Sequence, residues 1–313
     1  MTDSSHRVVF VTGATATGKS EWALRVAEEC GALIVNCDSI QLYKDVKIGS
    51  GLPSEADFAR AEHRLYAYVE PPQEMTAGDY RRDFFELMAG LPPASKVLVV
   101  GGTGFYFQAI EKGMFETPAV DTEISERVRA DLEERGSEAL WQELNQHDPE
   151  TAQRLALGDS YRISRALELC RAGILPSEHR KSFAPEPFPY SLLKTRVGRD
   201  RTELRERIRR RVTGMLEQGL LAEIRGLLER GLANWAPLAS VGYKEGVIAL
   251  LENRSQEWLL DEICLRTGQL AKRQETWFKR DPEIEVFQGD SSFPQFRDRT
   301  LRFLRGDGRL GSS

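Results

Sequence analysis

"GATATGKS", Gly13 to Ser20, follows the apolar run Val8-Val9-Phe10-Val11. It fills every fixed position of the pattern G-x-x-x-x-G-K-[S/T], with Ala14, Thr15, Ala16 and Thr17 between Gly13 and Gly18. A helix N-terminus leaves backbone N–H groups unpaired, and the loop glycines let those groups turn inward around a phosphate. Lys19 adds a charge that reaches the terminal phosphates, and Ser20 offers a hydroxyl to Mg²⁺. A strand over Val8–Thr12 and a helix over Glu21–Cys30 give the loop the setting it needs. Most chains with such a loop bind ATP or GTP and spend it. Which phosphate this one holds depends on the rest of the chain.

Working outward, Leu33–Cys37 reads as a second strand with Asp38 at its end, and Lys96–Val100 as a third, followed by Gly101-Gly102-Thr103-Gly104. Strands alternating with helices predict an α/β fold, a P-loop-type parallel sheet flanked by helices. In such sheets ligands bind beyond the C-terminal strand ends, so Gly13–Ser20, Asp38–Tyr43 and Gly101–Tyr106 converge on one crevice. From about Asp121 the chain turns helical, over Asp121–Arg135, Ser137–Gln146 and Tyr161–Arg171, and ends in the Pro-rich Phe183–Pro189. Leu192–Val197 reads as a strand returning to the sheet. Arg201–Gln218 reads as a helix with Leu204, Ile208, Val212 and Met215 on one stripe. The division expected is a core of 1–117 and 191–285, an all-helical insertion of 118–190, and a tail of 286–313, disordered from Gly306 on.

Composition bounds the function class. The 313 residues allow one large domain or two. No apolar run approaches the roughly 20 residues of a membrane helix, and Met1–Arg7 lacks a secretory h-region. Cys30, Cys37, Cys170 and Cys264 form no C-x-x-C pair, which disfavours structural zinc and fits a reduced, cytoplasmic setting without membrane contact. The net charge of −5 does not advertise nucleic acid, yet Lys194–Arg211 carries nine basic residues against three acidic ones, a local +6 suited to a polyanion. Taken by itself the same run reads first as a solvated helix face with i,i+4 pairs.

Two features narrow the chemistry. A P-loop NTPase needs an acidic residue closing a later strand to hold Mg²⁺, but here that strand ends "VLVVGGTG". Asp38 points at the crevice, where a carboxylate would hold a metal, accept a proton from an attacking group, or cap a following helix. The local sequence leaves these open. Ser39 and Gln41 bring hydrogen-bonding groups suited to a base edge.

"GATATGKS", "DSIQLYKDVKIG", "HRL" (63–65), "TAGDYRRD" (76–83), "VVGGTGFY" (99–106), "SRALELC" (164–170), "VGYKE" (241–245) and "QLAKRQETWFKR" (269–280) occur in this order. Together they resemble the tRNA dimethylallyltransferases, the bacterial tRNA isopentenyltransferase family, over roughly 7–285. The resemblance implies transfer of a dimethylallyl group from dimethylallyl pyrophosphate to the exocyclic N6 of the adenosine beside the anticodon, in tRNAs that read codons beginning with U. The loop would then cradle a pyrophosphate leaving group, and no water would need activating. It also implies roles. Asp38 would contact the adenine amine as general base, and Thr103 would place the reacting centre. Gly13–Ser20 and Arg211 would hold the pyrophosphate, with Mg²⁺ bridging Ser20 to it. Asp38, Ser39, Ile40, Gln41, Thr103, Tyr161, Arg162, Arg165, Gly242, Tyr243 and Lys244 would contact the tRNA anticodon stem-loop, with the helical insertion as part of that surface. One chain would hold the complete site, as a monomer.

The residue types suit that chemistry. Amides, Lys19, Arg211 and Mg²⁺ would stabilise the charge that grows as the C–O bond breaks. Phe105, Tyr106 and Phe107 would wall off water, and the adenine would leave its stack to enter. The chain departs from the family where Leu52 replaces a common lysine and Ser125 a common arginine, and it lacks the zinc-finger extension of eukaryotic relatives. Three other readings stand beside this one: prenyl transfer to free adenylate, a P-loop kinase of small molecules, and a non-enzymatic nucleotide-binding module.

Overall fold

The strand that leads into "GATATGKS" lies inside the sheet. The computed structural model describes residues 6–114, 120–181, 184 and 187–307. Its strands are β1 (Arg7–Thr12), β2 (Leu33–Asn36), β3 (His63–Arg64), β4 (Lys96–Gly101), β5 (Ser191–Gly198) and β6 (Glu285–Gln288). They form one sheet of order β3-β2-β4-β1-β5-β6, parallel at every pairing. Val8, Val9, Val11, Val97, Leu98 and Val99 expose no surface, as β-branched and apolar residues do in a sheet covered on both faces. Thr12 pairs with Gly101 and Asn36 with Val100, so the segments that follow β1, β2 and β4 leave the same edge side by side. The chain runs from β1 to β2 on one side and later adds β5 on the other, which opens the crevice where a doubly wound sheet binds ligands.

The helices on this sheet include α1 (Lys19–Cys30), α2 (Glu55–Arg60), α3 (Ala77–Ala89) and α4 (Gly104–Lys112). Ser54 and Thr76 open α2 and α3 with capping boxes, each side chain accepting the N–H of an aspartate three residues on. Lys112–Pro187 is a separate compact unit holding α5 (Thr122–His147), α6 (Pro149–Ala152), α7 (Ser160–Arg171) and α8 (Pro176–Lys181). Val128, Leu140, Ile163 and Leu167 form one of its buried clusters. Gly136, at φ 77°, breaks α5 where the sequence reading separates two helices. Asp148 joins α6 to α8, accepting the Thr151 N–H at 3.0 Å and the Ser177 N–H at 2.8 Å. Residues 183, 185 and 186 of the Pro-rich stretch 183–189 lie outside the described residues.

The chain before Lys112 and from Phe188 on forms the other unit, completed by α9 (Arg201–Glu217), α10 (Leu220–Glu229), α11 (Tyr243–Leu251), α12 (Gln256–Phe278) and α13 (Phe293–Arg305). The stripe Leu204, Ile208, Val212 and Met215 is buried. The expected tail of 286–313 is not a tail over its described length. β6 continues to Gln288, and α13 buries Phe293, Phe296, Leu301 and Leu304 in the sheet's core beside Trp22. The residues after 307 lie outside the described ones. The basic run 194–211 also splits. Lys194 is buried among Glu111, Asp281 and Glu283, and Arg199 is buried under the phosphate loop, so the run is not one exposed patch. Among the described residues no helix is long and apolar enough to cross a membrane.

Candidate active site

The loop 13–18 is shaped from its own residues and braced from outside. Gly13 sits at φ 153°, and a Cβ there would lie 2.6 Å from the Val197 carbonyl of β5, so only glycine fits. Within the loop the Thr17 hydroxyl donates to the Ala14 carbonyl at 2.9 Å, and Lys19 Nζ donates to the same carbonyl at 3.2 Å. Two arginines from the β5–α9 region reach across. Arg199 Nε donates to Thr17 O at 2.8 Å and Arg207 Nε to Ala16 O at 2.9 Å. These bonds hold the Ala16 and Thr17 carbonyls; the Thr15 N–H goes to Gln274 Oε1 and the Thr17 N–H to the Ala14 carbonyl, which leaves the Ala16, Gly18 and Lys19 amides available to an anion. Ser20, in the first turn of α1, is exposed, and its hydroxyl has no hydrogen bond among the described residues. A hard cation bridged to phosphate oxygens fits such a hydroxyl. β4 ends without a carboxylate, so the oxygen donors that the described residues bring to a cation here are the Ser20 hydroxyl and, across the crevice, the Asp38 carboxylate.

Facing this cradle are the ends of β2 and β4. Asp38 follows a short turn in which its N–H donates to Asn36 Oδ1 at 2.9 Å and its carbonyl accepts from Asn36 Nδ2 at 3.0 Å. No helix starts at Asp38, so the capping reading falls away. Asp38 Oδ1 accepts the Ile40 N–H at 3.0 Å, and no described group donates to its other oxygen. Thr103 Oγ1 accepts the Ser39 N–H at 3.0 Å and lies 3.3 Å from Ser39 Oγ. Asp38 and Thr103 are thereby held on one backbone frame.

The charges of the two sides feel one another. Burial lowers the Lys19 ammonium, Asp38 offsets part of that and Arg211 adds to it, which leaves Lys19 at about 8. Arg211 is likewise lowered by burial and raised by Asp38. Two cations short of counter-charge, with one carboxylate near both, make a site that gains when a polyanion enters.

The rim loop 47–51 completes the crevice and is held by side chains far along the chain. Glu223 of α10 accepts the N–H groups of Lys47 and Ile48 at 3.0 Å, and that of Gly49 at 3.4 Å. Tyr243, fully buried, donates its hydroxyl to Glu223 and accepts the Gly49 N–H at 3.1 Å. From the other side Arg211 Nη2 donates to the Ser50 carbonyl at 3.0 Å, and Gln41 Nε2 donates to Gly51 O at 2.8 Å.

Several expected tRNA contacts therefore stand differently. The Tyr243 side chain has no surface and serves the 47–51 loop; Gly242 is buried, and Lys244 beside it is exposed. The Gln41 amide is committed to loop carbonyls, while Ser39 and Ile40 are half-buried next to Asp38. Tyr161 is 79% exposed on α7. Arg162 pairs with Asp159 and Arg165 with Glu168. Of the three aromatics after Thr103, Tyr106 stacks on Tyr80 and Phe107 packs on Phe10 in the core, leaving only Phe105 exposed, at 48%. Leu52 lines a cavity of about 230 Å³ beside Ser20, with Leu24, Ile34, Tyr66 and Val100, and brings no charge to it. Arg199, Arg207, Glu223 and Gln274 were missed because each acts through contacts far along the chain; Gln274 meets Thr15 across 259 positions.

Comparison with known proteins places the chain in a family. A family model described as IPP transferase matches residues 41–281. The tRNA dimethylallyltransferase of Bdellovibrio bacteriovorus is 49% identical, covering 96% of this chain and 99% of its own. That of Geobacter sulfurreducens is 36% identical, covering 96% and 98%. A solved eukaryotic dimethylallyltransferase acting on tRNA shares the fold, with a TM-score of 0.78 at 23% identity over 98% of this chain and 82% of the other. The chain belongs to the IPP transferase family.

Proposed function

We propose that the protein transfers the dimethylallyl group of dimethylallyl pyrophosphate to the exocyclic N6 of the adenosine adjacent to the anticodon, in tRNAs reading codons that begin with U. The products are N6-isopentenyladenosine and pyrophosphate. The observation that carries this reading is the pairing in one crevice of a phosphate loop with Asp38 and Thr103, where β4 supplies no carboxylate for metal-assisted hydrolysis.

In this mechanism the loop amides, Lys19 and Arg211 hold the pyrophosphate and take up the charge that develops as the C1–O bond lengthens. The adenine, extruded from its stack, presents N6 to C1 from the Asp38 side. The N6 lone pair forms the new C–N bond while the free oxygen of Asp38 accepts the N–H proton, and pyrophosphate leaves with the electron pair of the C–O bond. Thr103, held by the Ser39 N–H, keeps its hydroxyl beside the reacting centre. Mg²⁺, held by Ser20 and the phosphate oxygens, would supply further neutralisation of the leaving group. Lys244 of the core and Tyr161, Arg162 and Arg165 of the helical unit are the groups proposed to meet the anticodon stem-loop.

The test is a transfer assay with Mg²⁺, radiolabelled dimethylallyl pyrophosphate and either bulk tRNA or AMP. Label in tRNA alone, lost in Asp38→Ala, is the expected result. Label in AMP alone would move the activity to free nucleotides, and ATP turnover without label would refute the pyrophosphate reading.

A further inference from the structure

The stretch "QLAKRQETWFKR" of α12 has no part in the mechanism above, yet it touches both halves of the site. Gln274 Oε1 accepts the Thr15 N–H at 2.8 Å, and Gln274 Nε2 donates to the Gly102 carbonyl at 2.9 Å. Thr15 belongs to the phosphate loop, and Gly102 immediately precedes Thr103, which is bonded to Ser39 next to Asp38. One planar amide thus ties the phosphate cradle to the frame that carries the base.

The contact is built closely. A Cβ on Gly102 would lie 2.4 Å from Gln274 Nε2, and one on Gly104 would lie 2.2 Å from the Trp277 ring. Glycine at both positions lets α12 reach the β4–α4 turn. The partners also fix the residue type. A backbone donor on one side and a backbone acceptor on the other need a group with one acceptor and one donor; a carboxylate cannot donate, and an ammonium cannot accept.

We propose that Gln274 is a positioning residue for group transfer, setting the separation between the pyrophosphate and the attacking amine. The proposal rests on the reading of function given above. An error of about 1 Å in such a separation can cost roughly 10²-fold in rate without removing any group that touches substrate.

The experiment compares Gln274→Met, which keeps the side-chain length and loses both hydrogen bonds, with Gln274→Glu, which keeps the acceptor for Thr15 but sets a second acceptor against the Gly102 carbonyl. Single-turnover transfer to tRNA is measured per folded site, together with the Kd for inorganic pyrophosphate. Both variants should lose about tenfold to a hundredfold in the transfer rate, with pyrophosphate affinity changed less than about threefold. A merely structural role would lower the folded fraction and leave the rate per folded site intact, and that result overturns the proposal. An independent arm needs no activity: hydrogen exchange at the Thr15 amide in the free protein should speed up by about tenfold or more in Gln274→Met. Unchanged exchange would show that the bridge does not hold the loop. Failure of the wild type to label tRNA would instead refute the functional reading, with the exchange arm still deciding the bridge.

Discussion

Removing one oxygen from Tyr243 separates two accounts of the 242–244 segment. The family resemblance implies a tRNA contact there, whereas the structure buries the ring completely and gives its hydroxyl two partners, Glu223 as acceptor and the Gly49 N–H as donor. Tyr243→Phe keeps the packing and leaves Glu223 short of one donor. A hydrogen bond to a charged group contributes about 1.5–3 kcal/mol, and partial rescue of Gly49 by Glu223 at 3.4 Å lowers the expected loss to about 1–3 kcal/mol. For a protein of this size that is a fall in Tm of roughly 1.5–5 °C. The loosened loop carries the Ser50 carbonyl that orients Arg211, so the KM for dimethylallyl pyrophosphate should rise more than the KM for tRNA. In a Glu223→Gln background most of the effect should vanish, because the two groups act as one unit. Thermal unfolding and steady-state kinetics with each substrate varied give the answer. An unchanged Tm with a KM raised for tRNA alone would refute the positioning account.

Other perturbations follow from the same geometry. Lys19 has a folded-state value near 8 against an ordinary 10.5, so the unfolded chain binds more protons between those values and stability should rise with pH across that window; Lys19→Met should flatten the rise. In the free enzyme Lys19 loses its charge above about 8, so kcat/KM for the pyrophosphate substrate should fall there, a limb that Lys19→Arg removes. Arg199→Ala deprives the Thr17 carbonyl of its donor and Asp290 of the nearer of its two arginines, and should weaken inorganic pyrophosphate binding measured by calorimetry while costing about 1–3 kcal/mol of stability. Asp38→Asn should slow transfer by about 10²–10⁴-fold with pyrophosphate affinity within a few-fold of the wild type; an equal loss in binding would contradict the base role.

What could be read from the sequence was what lies close together along it. Gly13–Ser20 is contiguous and carries its amides, the Lys19 ammonium and the Ser20 hydroxyl in one short segment, and β1, β2 and β4 announce themselves by uninterrupted apolar runs, while β5 shows only Leu192, Leu193 and Val197 around Lys194, Thr195 and Arg196. The edge strands did not. β3 is two residues long, and Glu285–Gln288 is only half-buried, so neither gives an apolar run. α13 carried a usable signal, since Phe293, Phe296, Leu301 and Leu304 fall on one helical face, but its charged intervening residues made it read as a tail. The braces of the site, Gln274, Glu223, Arg199 and Arg207, were hidden because their partners are backbone atoms of distant loops, which leave no mark on local pattern.

In the proposed reaction Asp38 and the phosphate loop act together on an adenine and a pyrophosphate. The most direct test is mass spectrometry of nucleosides from tRNA treated with dimethylallyl pyrophosphate and either the wild type or Asp38→Asn. N6-isopentenyladenosine next to the anticodon is expected with the wild type, and almost none with Asp38→Asn at matched time. Absence of the modified adenosine with the wild type, or its equal formation by Asp38→Asn, would contradict it.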